Sequence, residues 1–186
     1  MKEMLLKKFM FHFVNDQRKD KKFCFILGAG ASKQSGIRTG SELAKLWVDE
    51  LIQMESESAI NNWIQKENIP LDDLAHGYSK IYDKRFEVDP RDGFSFLEKE
   101  MENIDPSCGY SVLANILSTT EHKIVITTNF DSLCEDALFI YTQKKPLVVG
   151  HEALANFIRP FGSRPVVIKI HRDLFLSPKS TNEDTC

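Results

Sequence analysis

Three short clusters of glycine, polar and charged residues each follow an apolar run in this sequence. They are Gly28-Ala29-Gly30-Ala31-Ser32, Thr127-Thr128-Asn129-Phe130-Asp131 and His171-Arg172-Asp173. In open parallel sheets, ligands bind beyond the carboxyl ends of the strands. If the three apolar runs are parallel strands, the clusters meet at one edge of the sheet, and this convergence predicts a ligand site there.

The first cluster could hold a phosphate group. Its small side chains let the backbone approach a ligand closely, and successive N–H groups form an anion-binding concavity. The ordinary dinucleotide motif is not present, because its third glycine would fall at Lys33. A phosphate-binding P-loop is excluded because no Gly-Lys-Ser/Thr follows. A simple tight turn is the alternative interpretation.

The other two clusters also allow two interpretations each. Asn129 and Asp131 could face a ligand, or they could cap the helix predicted over residues 132–141. His171 could be a hydrogen-bonded core residue. It could also be a general base, because the ordinary pKa of histidine, about 6.5, suits proton transfer at neutral pH.

The elements around these clusters predict an α/β fold in a single domain, a Rossmann-like parallel sheet with helices on both faces. Apolar and β-branched runs predict strands, and apolar spacing of three and four predicts helices. The strands are expected at 22–27, 123–127, 146–149 and 165–170, and the helices near the N-terminus and at 41–54, 110–117 and 132–141. Residues 28–40 are expected to form a loop, and about 56–106 a helical insert.

Composition narrows the class of protein. A hydrophobic content of 42% supports a real core, and a net charge of −3 gives no basic surface for direct nucleic acid binding. None of the four cysteines forms a Cys-x-x-Cys pair, so a zinc ribbon is not expected. Cys24 and Cys134 are predicted to be buried free thiols, which suits a cytoplasmic protein. No apolar run reaches the ~18 residues of a membrane span.

The three clusters, in this order, resemble the sirtuin (SIR2) family, and in particular the N-terminal SIR2-like domains of bacterial antiphage defence proteins. The matching stretches are LGAGASKQSGIRTGSELA, VITTNFDSLCEDAL and VIKIHRDLFLSPKSTNEDT, within residues 22–184. The resemblance implies a Rossmann-like sheet with a smaller helical module. It also implies an NAD+ glycohydrolase that releases nicotinamide and ADP-ribose and acts in antiviral defence by depleting NAD+.

The resemblance also implies a role for each matching residue. NAD+ is the substrate, and Asn129, Asp131 and His171 form the catalytic group. Asn129 positions the ribose or the attacking water, and His171 is the base. The NAD-binding residues are Gly28, Ala29, Gly30, Ala31, Ser32, Gly36 and Thr128.

Two departures from the family pattern matter. The zinc-module cysteine pairs of protein-deacylating sirtuins are missing, which disfavours a deacylase or ADP-ribosyltransferase and predicts no bound metal. Arg172 stands where the family has a glycine after the histidine. A cation there predicts impaired cleavage, so an NAD+ or ADP-ribose sensor without turnover is the alternative function.

The resemblance also raises expectations about what surrounds this region. The family's sheet continues with further strands, so we expect a chain truncated at its C-terminus, with a polar tail at about 177–186. Partners other than NAD+ are expected to be a second copy of the chain or an additional C-terminal or partner regulatory domain. A membrane partner is not expected.

Overall fold

A parallel four-stranded sheet forms the centre of the computed structural model, which describes residues 5–15, 22–159 and 162–170. The strands are β1 (Cys24–Leu27), β2 (Ile124–Thr127), β3 (Leu147–Val149) and β4 (Val166–Lys169). Their order across the sheet is β1-β2-β4-β3, and every neighbouring pair is parallel. The α/β, Rossmann-like class predicted from the sequence is therefore confirmed.

Eight α-helices connect and cover these strands within the described residues. They are α1 (Leu6–Asn15), α2 (Ala29–Lys33), α3 (Gly40–Met54), α4 (Glu57–Lys66), α5 (Tyr78–Arg85), α6 (Pro90–Met101), α7 (Cys108–Thr119) and α8 (Leu133–Thr142). Two 3₁₀ turns lie at Leu74–Gly77 and Glu152–Phe157. None of the helices in the described part of the chain is both long and apolar enough to cross a bilayer.

The strand register brings the first two clusters to the same edge. Leu27 pairs with Thr127, and Thr127 pairs with Lys169, so β1, β2 and β4 end at one level. Gly28 and Thr128 follow directly, and Thr128 N donates to Leu27 O at 3.2 Å. This confirms that the glycine-rich cluster and the Asn129 cluster meet at the carboxyl edge of the sheet.

Helices α7 and α8 cover one face of the sheet. Val125 and Val167 on that face are fully buried and belong to one apolar cluster with Leu117 and Leu138. Side chains alternate along a strand, so Ile26 points to the opposite face, where it is 77% exposed. Over β1, the described residues therefore leave open a face that was predicted to carry helices.

The prediction that Cys24 is buried is wrong, whereas Cys134 is buried as predicted. Cys24 begins β1, an edge strand, and points to the same open face as Ile26. Cys134 lies in α8 and packs into the cluster under the sheet. Burial raises the pKa of the Cys134 thiol well above its usual range, so this thiol stays protonated at neutral pH.

Helices α3 to α6, residues 40–101, pack around their own core, and we call them the helical module. Trp47 is fully buried at its centre, and its ring centroid lies 5.2–5.8 Å from those of Tyr78, Tyr82, Phe86 and Phe96. Because α3 contributes Trp47, the module begins before residue 56, where the helical insert was expected. We call the strands, α2, α7 and α8 the sheet module.

Residues 28–40 are not a continuous loop as predicted, because α2 forms a short helix inside them. The helix α3 begins at Gly40, with Thr39 rather than Ser41 as its N-cap. Thr39 and Glu42 form a reciprocal capping box, in which each side chain accepts from the other residue's backbone N–H. Hydrogen bonds from Lys33 and from Thr39 lower the pKa of Glu42 to about 2.

The chain crosses between the two modules twice, at residues 34–39 and 102–107. The crossings are joined to each other by Ser107 N, which donates to Ser35 Oγ at 2.9 Å, and Arg38 of the first crossing forms an ion pair with Glu100 at the end of α6. Gly36 in the first crossing has a φ of +103°, a conformation that glycine adopts without strain. The helical module is thus inserted at a single point of the sheet module.

Candidate ligand-binding cleft

A cleft of about 170 Å³ lies between the carboxyl edge of the sheet and the helical module. Its sheet-side wall, which we call the floor, includes five residues that the sequence predicted for the site, Ala29, Ser32, Thr128, Asn129 and Asp131, together with Phe130. The structure therefore brings together the glycine-rich cluster and the Asn129 cluster around one cavity. Clefts between modules of a chain are common ligand sites.

A buried hydroxyl, Ser32 Oγ, connects the two clusters. It lies 2.6 Å from Asp131 Oδ2, 2.8 Å from Asn129 Nδ2 and 2.8 Å from the hydroxyl of Tyr110 on α7. Ser32 is 1% exposed, and Asn129 and Asp131 are each 7% exposed. These polar groups satisfy one another away from water, as buried polar groups must.

Asn129 holds the ends of two strands together. Its Nδ2 donates to Gly28 O at 3.1 Å as well as to Ser32 Oγ, and its backbone N–H donates to Thr127 Oγ1 at 3.0 Å. The residue fixes the position of the glycine-rich cluster beside β2 while lining the cleft. Asn129 is thus both a structural residue and a wall of the candidate site.

Both carboxylate oxygens of Asp131 have partners. Oδ2 accepts from Ser32 Oγ, and Oδ1 accepts from Leu133 N, at 3.1 Å, in the first turn of α8. The N-cap of α8 is Ser132, so Asp131 is not the capping residue itself, but its side chain accepts from the first N–H of that helix. Because the side chain also lines the cleft, this hydrogen bond does not remove its negative charge from the site.

The glycines of the first cluster leave open space. A Cβ atom placed on Gly30 would meet nothing within 4 Å, and one on Gly28 would meet only Thr128 Oγ1, at 3.9 Å. The backbone of Gly28 is extended, a conformation that any residue adopts. Packing within the described chain therefore does not require glycine at either position, and the space above them is available to a ligand.

The helical module supplies an apolar wall with an ion pair. Leu43, Tyr78, Leu97 and Met101 line this side, together with Arg38 and its partner Glu100. Burial and the neighbouring Tyr82 raise the pKa of Tyr78 well above its usual range, so this hydroxyl stays neutral. The cleft thus places a floor that carries the polar residues Ser32, Asn129 and Asp131 opposite a largely apolar wall.

A buried ion pair supports the floor from behind. Lys169 at the end of β4 is 1% exposed at its side chain, and its Nζ lies 3.0 Å from Glu135 Oε1 on α8. The same Nζ donates to Phe130 O at 3.4 Å. Lys169 therefore connects β4 to the backbone between Asn129 and Asp131.

Sequence reasoning missed Tyr110 and Lys169. Tyr110 fits the apolar spacing of α7, and its partner Ser32 is 78 residues away in the sequence. Lys169 interrupts an apolar strand, which is the one local signal that could have identified it. His171, Arg172 and Asp173 lie outside the described residues. Within the described residues, no group of three His, Cys, Asp or Glu side chains could hold a metal ion.

No model of a known protein family matches the chain, and no curated protein sequence matches it.

Proposed function

We propose that the chain binds NAD+ in this cleft and hydrolyses the bond between nicotinamide and ribose. The observation that carries the proposal is the hydrogen-bond network through Ser32, which holds the glycine-rich cluster and Asn129 at one strand edge. The resemblance to SIR2-like domains supplies the chemistry. In a cell, such hydrolysis would deplete NAD+, the defence role that the resemblance implies.

The size of the cleft decides how much of NAD+ it could enclose. Its volume of about 170 Å³ is below the ~300–1,000 Å³ of typical small-molecule pockets. We therefore assign the nicotinamide and its ribose to the cleft. The diphosphate would lie over Gly30, where the surface is open, and small side chains would let its oxygens approach the backbone.

The reaction needs little from the protein beyond placement and charge. The bond between ribose C1′ and the pyridinium nitrogen breaks, its electron pair leaves with neutral nicotinamide, and the ribose becomes oxocarbenium-like. Water adds at C1′ and releases one proton. The apolar wall would receive the neutral nicotinamide, and the Asp131 charge would stabilise the cationic transition state. Asn129 would position the ribose hydroxyl or the water, and His171 is proposed as the proton acceptor.

Binding without cleavage is the second candidate. The observation that favours it is that both carboxylates lining the cleft have partners: Asp131 bonds Ser32 and Leu133, and Glu100 pairs with Arg38. Both carboxylates are thus engaged in holding other groups of the protein. A sensor of NAD+ or ADP-ribose would need the same floor and wall but no base.

The test is to incubate the whole chain with NAD+, measure nicotinamide and ADP-ribose, and determine affinity by calorimetry. We expect Asn129→Ala to lower turnover by about 10²–10⁴-fold, the usual effect of removing a group that acts on the reacting atoms. The matched control is Asn115→Ala, an exposed asparagine on α7, which should behave as wild type. Binding without nicotinamide release would favour the sensor, and absence of binding would contradict both functions.

A further inference from the structure

The donor and the acceptor of each hydrogen bond around Ser32 can be assigned from the chemistry of the groups involved. An ionised Asp131 carboxylate only accepts hydrogen bonds, so the Ser32 hydroxyl proton points to Asp131 Oδ2 at 2.6 Å. Ser32 Oγ then accepts from its other two neighbours. The Tyr110 hydroxyl, at 2.8 Å, is therefore the donor in the Tyr110–Ser32 bond.

The same donor and acceptor chemistry fixes the orientation of the Asn129 carboxamide. The Gly28 carbonyl only accepts, so the amide nitrogen and not the oxygen must face it, at 3.1 Å. The second hydrogen of Nδ2 goes to Ser32 Oγ at 2.8 Å. Both amide hydrogens are used, and Oδ1 is the atom of this side chain with bonding capacity to spare.

We infer that Tyr110 is a positioning residue, which acts through Ser32 and through its own contact with the Asn129 side chain to hold the Asn129 carboxamide with its oxygen available to the cleft. The cleft floor then presents an acceptor to the ligand. It would recognise a group that donates a hydrogen bond, such as a ribose hydroxyl or a water molecule, and would disfavour a carboxylate or phosphate oxygen at that place. The inference about the ligand rests on the proposed function.

Tyr110 is suited to this role because its hydroxyl stays protonated at neutral pH. The residue is 4% exposed, and burial together with the Asp131 charge raises its pKa to about 12. Without the hydrogen bond from Tyr110, the Ser32 hydroxyl would be held less firmly. Asn129 would then lose an acceptor of fixed position. The hydroxyl of Tyr141 offers a matched control, because among the described residues its hydrogen bond is to Pro106 O, at 3.5 Å, and the residue is 51% exposed.

The experiment measures hydrogen exchange of the Asn129 side-chain amide by NMR in the whole chain, with the resonance assigned from its loss in Asn129→Asp. In Tyr110→Phe we expect exchange to be about fivefold faster, the effect of losing roughly one neutral hydrogen bond. Ser32→Ala should show the same change and tests the route if Tyr110→Phe folds poorly. Tyr141→Phe should leave the exchange unchanged.

Nicotinamide release by the same variants is the second readout. Tyr110→Phe should lower kcat by about fivefold with KM nearly constant, because binding surfaces are retained. Unchanged Asn129 exchange in folded Tyr110→Phe and Ser32→Ala would overturn the inference, as would an equal change in Tyr141→Phe or an unchanged kcat. Faster exchange in a protein that never binds NAD+ would support the positioning role while contradicting the proposed function.

Discussion

The helical module and the sheet module bury different kinds of side chain. The core of the helical module is apolar, with Trp47, Leu51, Ile60 and Ile81 almost fully excluded from water. The buried polar and charged residues of the described chain all lie in the sheet module: Ser32, Lys123, Thr127, Asn129, Asp131 and Lys169.

Burying polar groups costs free energy unless each finds a partner, and each of these six residues has one. Ser32, Asn129 and Asp131 bond one another, and Lys123 Nζ donates to Leu117 O at 2.8 Å. A core built only for stability would be simpler to make from apolar residues. The contrast shows that the helical module contributes a packed apolar core, whereas the sheet module buries the polar side chains of Ser32, Asn129 and Asp131 beside the cleft.

Removing the side chain at the centre of the helical module's core should have the largest effect on the free energy of unfolding. Trp47→Ala deletes a fully buried ring that contacts four aromatic neighbours, and we expect a loss of about 3–5 kcal/mol in the free energy of unfolding. Urea denaturation followed by circular dichroism measures it. Val88→Ala, at a side chain that is 92% exposed, is the control and should change little. Similar midpoints for the two variants would contradict the packed-core interpretation.

Two glycines, Gly77 in the helical module and Gly30 in the sheet module, test the same contrast between the modules, with smaller expected effects. A Cβ on Gly77 would lie 2.5–2.8 Å from Ile69 side-chain atoms, whereas one on Gly30 would meet nothing within 4 Å. We expect Gly77→Ala to cost about 1–3 kcal/mol through overpacking and to leave NAD+ affinity nearly unchanged. Gly30→Val should have the opposite profile, with stability retained and NAD+ binding weakened by a side chain over the proposed diphosphate position. Thermal melts and calorimetry on both variants test this, and equal NAD+ affinity in wild type and Gly30→Val would remove Gly30 from the site.

The smallest expected effect is a pH dependence located in the sheet module. Burial lowers the pKa of His122, and its Nδ1 accepts from Phe23 N at 3.2 Å, which only an unprotonated nitrogen can do. Below the ordinary pKa of about 6.5, the unfolded chain therefore binds more protons than the folded chain, and stability falls as the pH is lowered towards the folded pKa. Denaturation of wild type and His122→Gln across pH 5–8 checks this. Identical slopes would show that His122 does not contribute.

Much of the fold was predictable because its signals are local. The runs CFIL, IVIT, LVV and VVIK are short and largely apolar, the last three are rich in β-branched residues, and each forms a strand within two residues of its predicted bounds. The helix α2 was missed because Gly28-Ala29-Gly30 has the composition of a loop, although a single helical turn fits there. The capping box at Thr39 was also readable, but the neighbouring Ser41 offered a competing N-cap.

The candidate site was predictable only in part, for a physical reason. Strand ends and polar residues after them mark Ser32, Asn129 and Asp131, since chain order and strand register place them together. The partner that completes their network, Tyr110, comes from the far side of the helical module in sequence, and helical spacing alone assigns it to the core. The exposure of Cys24 was unpredictable for the same reason, because it depends on which neighbours cover an edge strand.

The single point of insertion of the helical module has a further consequence. Ser35 and Ser107 are hydrogen-bonded across the two crossings. For the sheet module, residues 36–106 therefore act as one long connection between α2 and α7. Surface turns can lengthen, shorten or be exchanged without moving the elements that they connect. The far wall of the cleft could therefore diverge between descendants of this chain while Ser32 and Asn129 stayed in place, so that under the proposed function ligand selectivity and bond cleavage would evolve on separately variable parts of one protein.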